Sequence, residues 1–281
     1  MRVCGIVAEY NPFHNGHAWQ IAEIRRRMGE DCPIVCCMSG NFVQRGEAAI
    51  IDKFSRAEMA VRGGADLVIE LPSPYSLSSA EAFAENAVML LENAGCTDLF
   101  FGSECGDMAI LNSLVTALQD PYLDSDIREE LKSGVSYATA RQAALSKSIG
   151  SLADYLDTPN NILAVEYLKA IYDQRLRIEP MTIKRIGAGH DEEGGSASDI
   201  RGMLSQGKPI KNYVPKEVNE IFRRETEQGR GPVFMEDLET AILSRFRMMD
   251  DRIFSEIPDD SEGLGNRLIA AFHEETTLDG V

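Results

Sequence analysis

A chain of 281 residues, 44% of them hydrophobic, is long enough to bury a substantial core and points to one large domain, or a large one with a smaller appendage. Its formal net charge of −17 opposes long-range attraction to a polyanion, and its six cysteines fall in or beside apolar runs, where thiols act as small hydrophobes and disulfides are not expected. No stretch approaches the roughly 18 apolar residues of a membrane span, and the N-terminus enters a strand without a basic leader, so a cytoplasmic protein with no membrane partner is expected.

The run Val3 to Ala8 is short, apolar and bounded by turn residues, as expected of a strand in the middle of a parallel sheet. Asn11-Pro12 then favours a turn, and after Gly16 the spacing of Ile21, Ile24 and Met28 predicts an amphipathic helix. A strand, a tight turn and a helix in that order place free N–H groups and the positive end of the helix dipole at the turn, which makes an anion site. Gly16 allows a ligand close to the backbone, and His14 and His17 add side-chain donors; two of the chain's four histidines therefore share this one turn. His-x-x-His can also ligate zinc, but no cysteine or carboxylate lies at the usual ligand spacing, so no protein metal site is expected.

Further along, Pro33–Met38 reads as a second strand ending in Ser39-Gly40-Asn41, and Ser55–Arg62 as a helix closed by Gly63-Gly64. Leu67–Leu71 is a third strand stopped by Pro72, Ser78–Asn93 a helix ending at Gly95, and Asp98–Gly102 a fourth strand. This alternation predicts a doubly wound parallel α/β sheet, in which ligands sit outside the carboxyl ends of the strands. The candidates at those ends are His14 and His17, Ser39 to Glu47, Glu70, and Gly102 to Glu104. Met108 to Ile149 reads as an inserted helical segment with Leu111, Leu114, Val115 and Leu118 on one face. Pro159 opens the next helix, and Arg177–Ile186 is a fifth strand in which Met181 and Ile183 alternate with Thr182 and Lys184. Gly187–Gly195 is glycine-rich and charged, and is expected to be a mobile lid. Gly195 to Arg201 opens a helix with Ser and Asp at the capping positions, and the same residues offer hydroxyls, amides and a guanidinium to a phosphate. Phe234–Met249 and Gly265–Phe272 are expected to be C-terminal helices. Arg25-Arg26-Arg27, Lys184-Arg185 and Arg223-Arg224 are candidate basic patches, of which two are expected to be plain solvated faces.

His14-Asn15-Gly16-His17 resembles the H-x-G-H signature of the nucleotidyltransferase superfamily. The longer string Ala8 to His17, with Met38-Ser39-Gly40-Asn41-Phe42-Val43-Gln44-Arg45-Gly46-Glu47, Asp66 to Pro72 and Phe100 to Glu104, resembles the bacterial tRNA(Met) cytidine acetate ligases from the first residue to about Leu204. The resemblance implies a Rossmann-like sheet of the HUP/nucleotidyltransferase type: an ATP-binding domain over 1–205 with a helical insertion at 107–150, and a helical region over 206–281 shorter than the family's. It implies ATP contacts at Val7, Ala8, Glu9, Tyr10, Asn11, Pro12, Phe13, His14, Asn15, Gly16, His17, Ala18, Trp19, Gln20, Gly102, Asn160 and Arg185. The turn at Ser198 resembles the superfamily's second phosphate motif, which places Ser198 and Arg201 beside His14 and His17 as catalytic candidates. The implied reaction activates acetate with ATP, with Mg²⁺ on the phosphates, and passes the acetyl group to the wobble cytidine of elongator tRNA(Met). A small-molecule adenylyltransferase and a non-catalytic nucleotide sensor are the two other functions compatible with the same turn.

Overall fold

The computed structural model describes residues 1–185, 195–256 and 263–281; of the lid expected over Gly187–Gly195, all but Gly195 lies outside them. Five strands, β1 (Cys4–Ala8), β2 (Ile34–Ser39), β3 (Leu67–Leu71), β4 (Asp98–Ser103) and β5 (Glu179–Lys184), form one sheet in the order β3-β2-β1-β4-β5. All four pairings are parallel, with Cys4 opposite both Ile34 and Asp98. This is the doubly wound, Rossmann-like sheet predicted from the alternation of elements, and the order reverses beside β1, so the crevice at the carboxyl end of β1 is the expected ligand site.

The connections are helical: α1 (Asn15–Met28), α2 (Lys53–Arg62), α3 (Ala80–Asn93), then α4 (Met108–Leu118), α5 (Leu123–Leu131), α6 (Tyr137–Ile149) and α7 (Pro159–Asp173) between β4 and β5. Side chains alternate along a strand, so each strand serves two cores. Val35, Cys37, Leu71, Leu99 and Phe101 pack with Phe83, Val88 and Leu91 of α3, Leu111, Leu114 and Val115 of α4, and Val165, Leu168 and Ile171 of α7. The alternate positions Cys4, Ile6, Ile34, Cys36 and Phe100 are buried on the other face, where Ile21 and Ile24 of α1 and Met59 of α2 are buried as well. The insertion is thus divided: α4 belongs to the main core, while Leu123, Ile127, Ala140, Ala144 and Leu145 of α5 and α6 form a small core of their own with Ala117.

After β5 come α8 (Ala197–Ser205) and α9 (Lys216–Glu227), followed by α10 (Met235–Arg247) and α11 (Leu264–Glu274). The described chain forms two compact units, Met1–Pro232 and Val233–Val281. The expected division after residue 205 falls inside the first unit, because Arg224 of α9 is ion-paired to Glu58 of α2 and the backbone N–H of Asn15 donates to the Tyr213 carbonyl. The second unit is built around Phe246, Phe254 and Phe272, with the Phe246 and Phe272 rings stacked 4.2 Å apart. No described helix is long and apolar enough to cross a membrane.

One buried cation sets the upper edge of the sheet. Arg56 of α2 is wholly buried and donates to the carbonyls of Ile51 (3.2 Å), Ser39 (2.9 Å), Glu9 and Gly40. Burial pushes its pKa down to about 10, so it stays charged at neutral pH. Arg56→Met leaves four carbonyls without their donor, and we expect it to lower unfolding stability by about 3–5 kcal/mol in a urea titration. A loss below about 1 kcal/mol would show that the carbonyls find other donors.

Candidate functional site

The carboxyl ends of β1, β4 and β5 open into a cleft of about 1280 Å³. Its floor is the turn after β1. Tyr10 there takes a φ of +46°, a left-handed conformation that costs a non-glycine residue about 1–2 kcal/mol. Packing holds it: the buried Tyr10 ring meets His17 edge-on at 4.8 Å and Phe13 at 4.9 Å, and its hydroxyl lies 3.3 Å from Cys36 Sγ. Asn11 is buried too, its Oδ1 accepting from Ile50 N–H at 2.7 Å, while its Nδ2 has no partner among the described residues.

The two histidines form the cap of α1. His14 Nδ1 accepts from Gly16 N–H at 3.0 Å, and His17 Nδ1 accepts from His14 N–H at 3.2 Å, a reciprocal capping box made of imidazoles. The N–H groups of His17 and Ala18 both donate to His14 O, and that of Asn15 to Tyr213 O. The amides expected to hold an anion are therefore engaged within the protein, and the donors left for a ligand are the imidazoles. A neutral ring whose Nδ1 accepts carries its hydrogen on Nε2. Burial, with the Arg185 charge, pushes His14 down to about 4 and His17 well below its ordinary value, so both rings are neutral. The rings lie 3.8 Å apart, which two imidazolium ions would resist. Gly16 has a second reason to be glycine: a Cβ there would come within 2.8 Å of His14 Cε1.

The opposite wall is a chain of polar side chains. Glu104, after β4, accepts from Asn160 Nδ2 at 2.6 Å and from Asn161 N–H at 2.8 Å at the start of α7. Asn160 Oδ1 in turn accepts from Arg185 Nη1 at 3.0 Å, and Gly102 gives room for the Arg185 stem, which a Cβ would meet at 3.1 Å. A second guanidinium, Arg201 of α8, donates to the Asn11 carbonyl at 3.0 Å and to Glu47 at 3.3 Å. Glu9, whose carboxyl burial pushes up, accepts the Gln44 N–H at 3.0 Å.

Of the residues predicted from sequence, Val7 to Asn11, His14 to His17, Trp19, Gln20, Gly102, Asn160, Arg185 and Arg201 line this one cleft. Pro12, Phe13 and Ala18 do not; the buried Phe13 packs behind the turn, against Gly63, where a Cβ would clash with its ring. Ser198 does not line it either: the cap of α8 is Ser196, in a box with Asp199, and Ser198 is exposed. Glu70, proposed from its strand end, is paired with Lys53 Nζ at 2.6 Å and stands outside the cleft. Sequence reading missed Ser78, Ser79, Phe83, Phe101, Leu163, Tyr167, Asn212 and Tyr213. Most of these sit on helices or loops whose pattern signals only packing.

A HIGH Nucleotidyl Transferase family model matches residues 1–281. The tRNA(Met) cytidine acetate ligase of Thermosipho africanus is 42% identical over 99% of this chain, which spans 68% of that protein. The protein of the same name from Caldicellulosiruptor bescii is 40% identical over 95% of the chain and is likewise matched over 68% of its length. Thermotoga maritima TmcAL bound with alpha-thio ATP superposes with a TM-score of 0.89 at 37% identity, over 100% of this chain and 69% of that one.

The neutral histidine cap has a measurable pH signature. Between pH 6.5 and about 4 the unfolded chain binds a proton that folded His14 refuses, so stability is complete above that window and falls as the pH drops through it. The loss attributable to His14 is about 3 kcal/mol. His14→Asn keeps a cap acceptor but does not titrate, so its denaturant midpoint should fall less than wild type's between pH 7 and pH 4.5; equal losses would place the His14 pKa in the ordinary range.

Proposed function

The chain belongs to the tRNA(Met) cytidine acetate ligase family of HIGH nucleotidyl transferases, and from that membership we propose how its cleft carries the reaction. It is an ATP-dependent, tRNA-modifying ligase. ATP lies across the end of β1, its phosphates facing His14, His17, Arg185 and Arg201, and its contacts drawn from the turn between Val7 and Gln20 with Gly102 and Asn160. The observation that carries this reading is the capping box: with both Nδ1 atoms engaged inside the protein, each neutral ring has its Nε2–H left to give. Donors already aimed and already neutral stabilise developing charge without reorganising when it appears.

In the first step a carboxylate oxygen of acetate attacks the α-phosphorus. The new O–P bond forms as the P–O bond to pyrophosphate breaks, leaving acetyl-adenylate. In the second step the N4 amine of the wobble cytidine of elongator tRNA(Met) attacks the acetyl carbon. The N–C bond forms, the C–O bond to the phosphate breaks, N4 gives up a proton, and AMP leaves with N4-acetylcytidine as product. The cytidine must be unstacked to reach the cleft. The cleft's 1280 Å³ exceeds the roughly 300–1,000 Å³ of a one-ligand pocket, which suits a nucleotide and a second substrate together.

Mg²⁺ fits here as the partner of the triphosphate. Among the described residues no three metal-ligating side chains come together, and Mg²⁺ ordinarily keeps several waters and takes phosphate oxygens. It would neutralise charge on the leaving pyrophosphate, while Arg185 and Arg201 supply the fixed positive charge of the protein. The cytoplasm, where tRNA and ATP are both present, is the compartment this activity requires.

His17→Ala removes one of the two imidazole donors, and acetate-dependent exchange of pyrophosphate into ATP should fall by about 100-fold or more. Near wild-type exchange would overturn the assignment of the cap to the phosphates. For the whole reaction, tRNA(Met) incubated with protein, ATP and labelled acetate should gain one labelled cytidine by mass spectrometry. Label in a small-molecule product instead would move the chain to adenylyl transfer.

A further inference from the structure

The polar walls of the cleft account for a nucleotide, but one stretch of its lining is different in kind. Phe83 of α3, Phe101 of β4 and Tyr167 of α7 belong to the main apolar cluster, Val7 at the end of β1 and Leu163 of α7 pack against it, and all five line the cleft. Phe83, Phe101 and Tyr167 are only 2%, 4% and 3% exposed, so they form an enclosed, aromatic part of the cleft wall. The Phe101 and Tyr167 rings lie 5.6 Å apart, tilted by 47°.

Within that apolar stretch stands one polar atom. Tyr167 makes a ring contact with Phe101 but no hydrogen bond among the described residues. The hydroxyl is not among the side-chain oxygens shut away without a partner, so it reaches the open space of the cleft, where a ligand can meet it. Phenylalanine would fill the same ring volume and offer a ligand no donor. The Tyr167 phenol is further from ionising than an ordinary one, through burial first and then the Cys37 thiol and the Glu9 carboxyl, so it is a firm O–H donor. The other polar group nearby, Glu9, already accepts the Gln44 N–H with its Oε1 and can only accept when charged, so it does not compete for a ligand's oxygen.

We propose that this stretch is the acyl pocket of the enzyme: a short carboxylic acid lies with its alkyl end against Phe83 and Phe101 and one carboxyl oxygen accepting the Tyr167 hydroxyl. The proposal rests on the ligase reading above and names the side chain that grips a substrate with almost nothing to grip. An acid with one methyl group offers apolar surface only at one end and two oxygens at the other, and the pocket supplies rings for the first and a single donor for the second. One oxygen is then held while the other is free to attack the α-phosphorus. The same hydroxyl remains on the carbonyl oxygen of the acyl-adenylate, where negative charge gathers as an amine adds to the acyl carbon. The size of the acid is set by the rings: Phe83 bounds the pocket from α3 and Phe101 from β4.

The test is steady-state pyrophosphate exchange with acetate, propionate and butyrate, on Tyr167→Phe and Phe83→Leu. Tyr167→Phe keeps the ring and its packing, and should raise the apparent KM for acetate about tenfold while the KM for ATP moves less than about twofold. Phe83→Leu should widen the pocket and raise the relative kcat/KM for propionate over acetate by about tenfold, the scale of one methylene in an apolar site. An unchanged acetate KM in Tyr167→Phe, or equal rises for acetate and ATP, would overturn the pocket while leaving the ligase reading standing. Wild-type exchange that does not respond to acetate would overturn the ligase reading itself. Thermal midpoints of both variants within a few degrees of wild type separate these outcomes from misfolding.

Discussion

The site depends on one buried guanidinium. A parallel sheet ends in a row of carbonyls that the ladder does not satisfy, and in this protein the ends of β1 and β2 are tied to each other by Arg56, which donates to Glu9, Ser39, Gly40 and Ile51. Among the described residues no carboxylate is bonded to it; the charge is spread over backbone dipoles, with Glu9, Asp52 and Glu70 contributing at longer range. Arginine suits this role because its planar fork reaches several acceptors in fixed directions, whereas lysine offers one compact, strongly hydrated charge. α2 can bring Arg56 there because Asp52 caps it, accepting from Phe54 and Ser55 N–H. The turn that carries the histidines thus begins from a fixed point one residue before Tyr10.

From that point the geometry propagates by packing. Tyr10 is forced to a positive φ, and its ring then supports His17 from below. Through the helix cap His17 accepts from the His14 N–H and His14 from the Gly16 N–H, which sets both tautomers at once. An ordinary Ser or Asp cap would satisfy α1 equally well and leave nothing over for a ligand. Imidazoles cap with one nitrogen and keep the other, so the helix start is both finished structurally and still able to donate. That dual use leaves the side chains, and not the engaged amides, as the donors available at the positive end of α1.

Much of this was legible beforehand, and the reasons differ from residue to residue. The third and fourth strands follow from apolar runs ended by Pro72 and Gly102, with the helix between them closed at Gly95, and the rule that ligands gather at strand ends led to Glu104 and Glu47, which line the cleft. The same rule failed at Glu70, because β3 is an edge strand and its end points to Lys53. Ser198 was drawn in by a serine-rich string, yet a helix has one cap and Ser196 takes it. Tyr167 was invisible for the opposite reason: on α7 it occupies an apolar face, and nothing in a sequence distinguishes a hydroxyl that ends in a cleft from one that ends in a core. Arg56 gave no signal at all, since an arginine in an amphipathic helix is ordinarily at the surface.

The distribution of charge settles what the net value of −17 means. Arg25 is spent on the carbonyls of Glu30, Cys32 and Gly64 and on Asp66, and Arg26 and Arg27 both pair with Glu23. Arg224 bridges Glu58 and Glu225, and Arg223 pairs with Glu227. Those two basic runs are structural, and of the three read from sequence only Lys184-Arg185 reaches the cleft. An acidic surface beyond a Debye length of about 8 Å neither attracts nor repels a polyanion strongly at physiological salt, but within that distance it disfavours casual contact. With the other two runs paired to carboxylates and carbonyls, Lys184-Arg185 leaves positive charge in the cleft itself, and selectivity for a polyanion is a difference between its affinity there and elsewhere on an acidic surface.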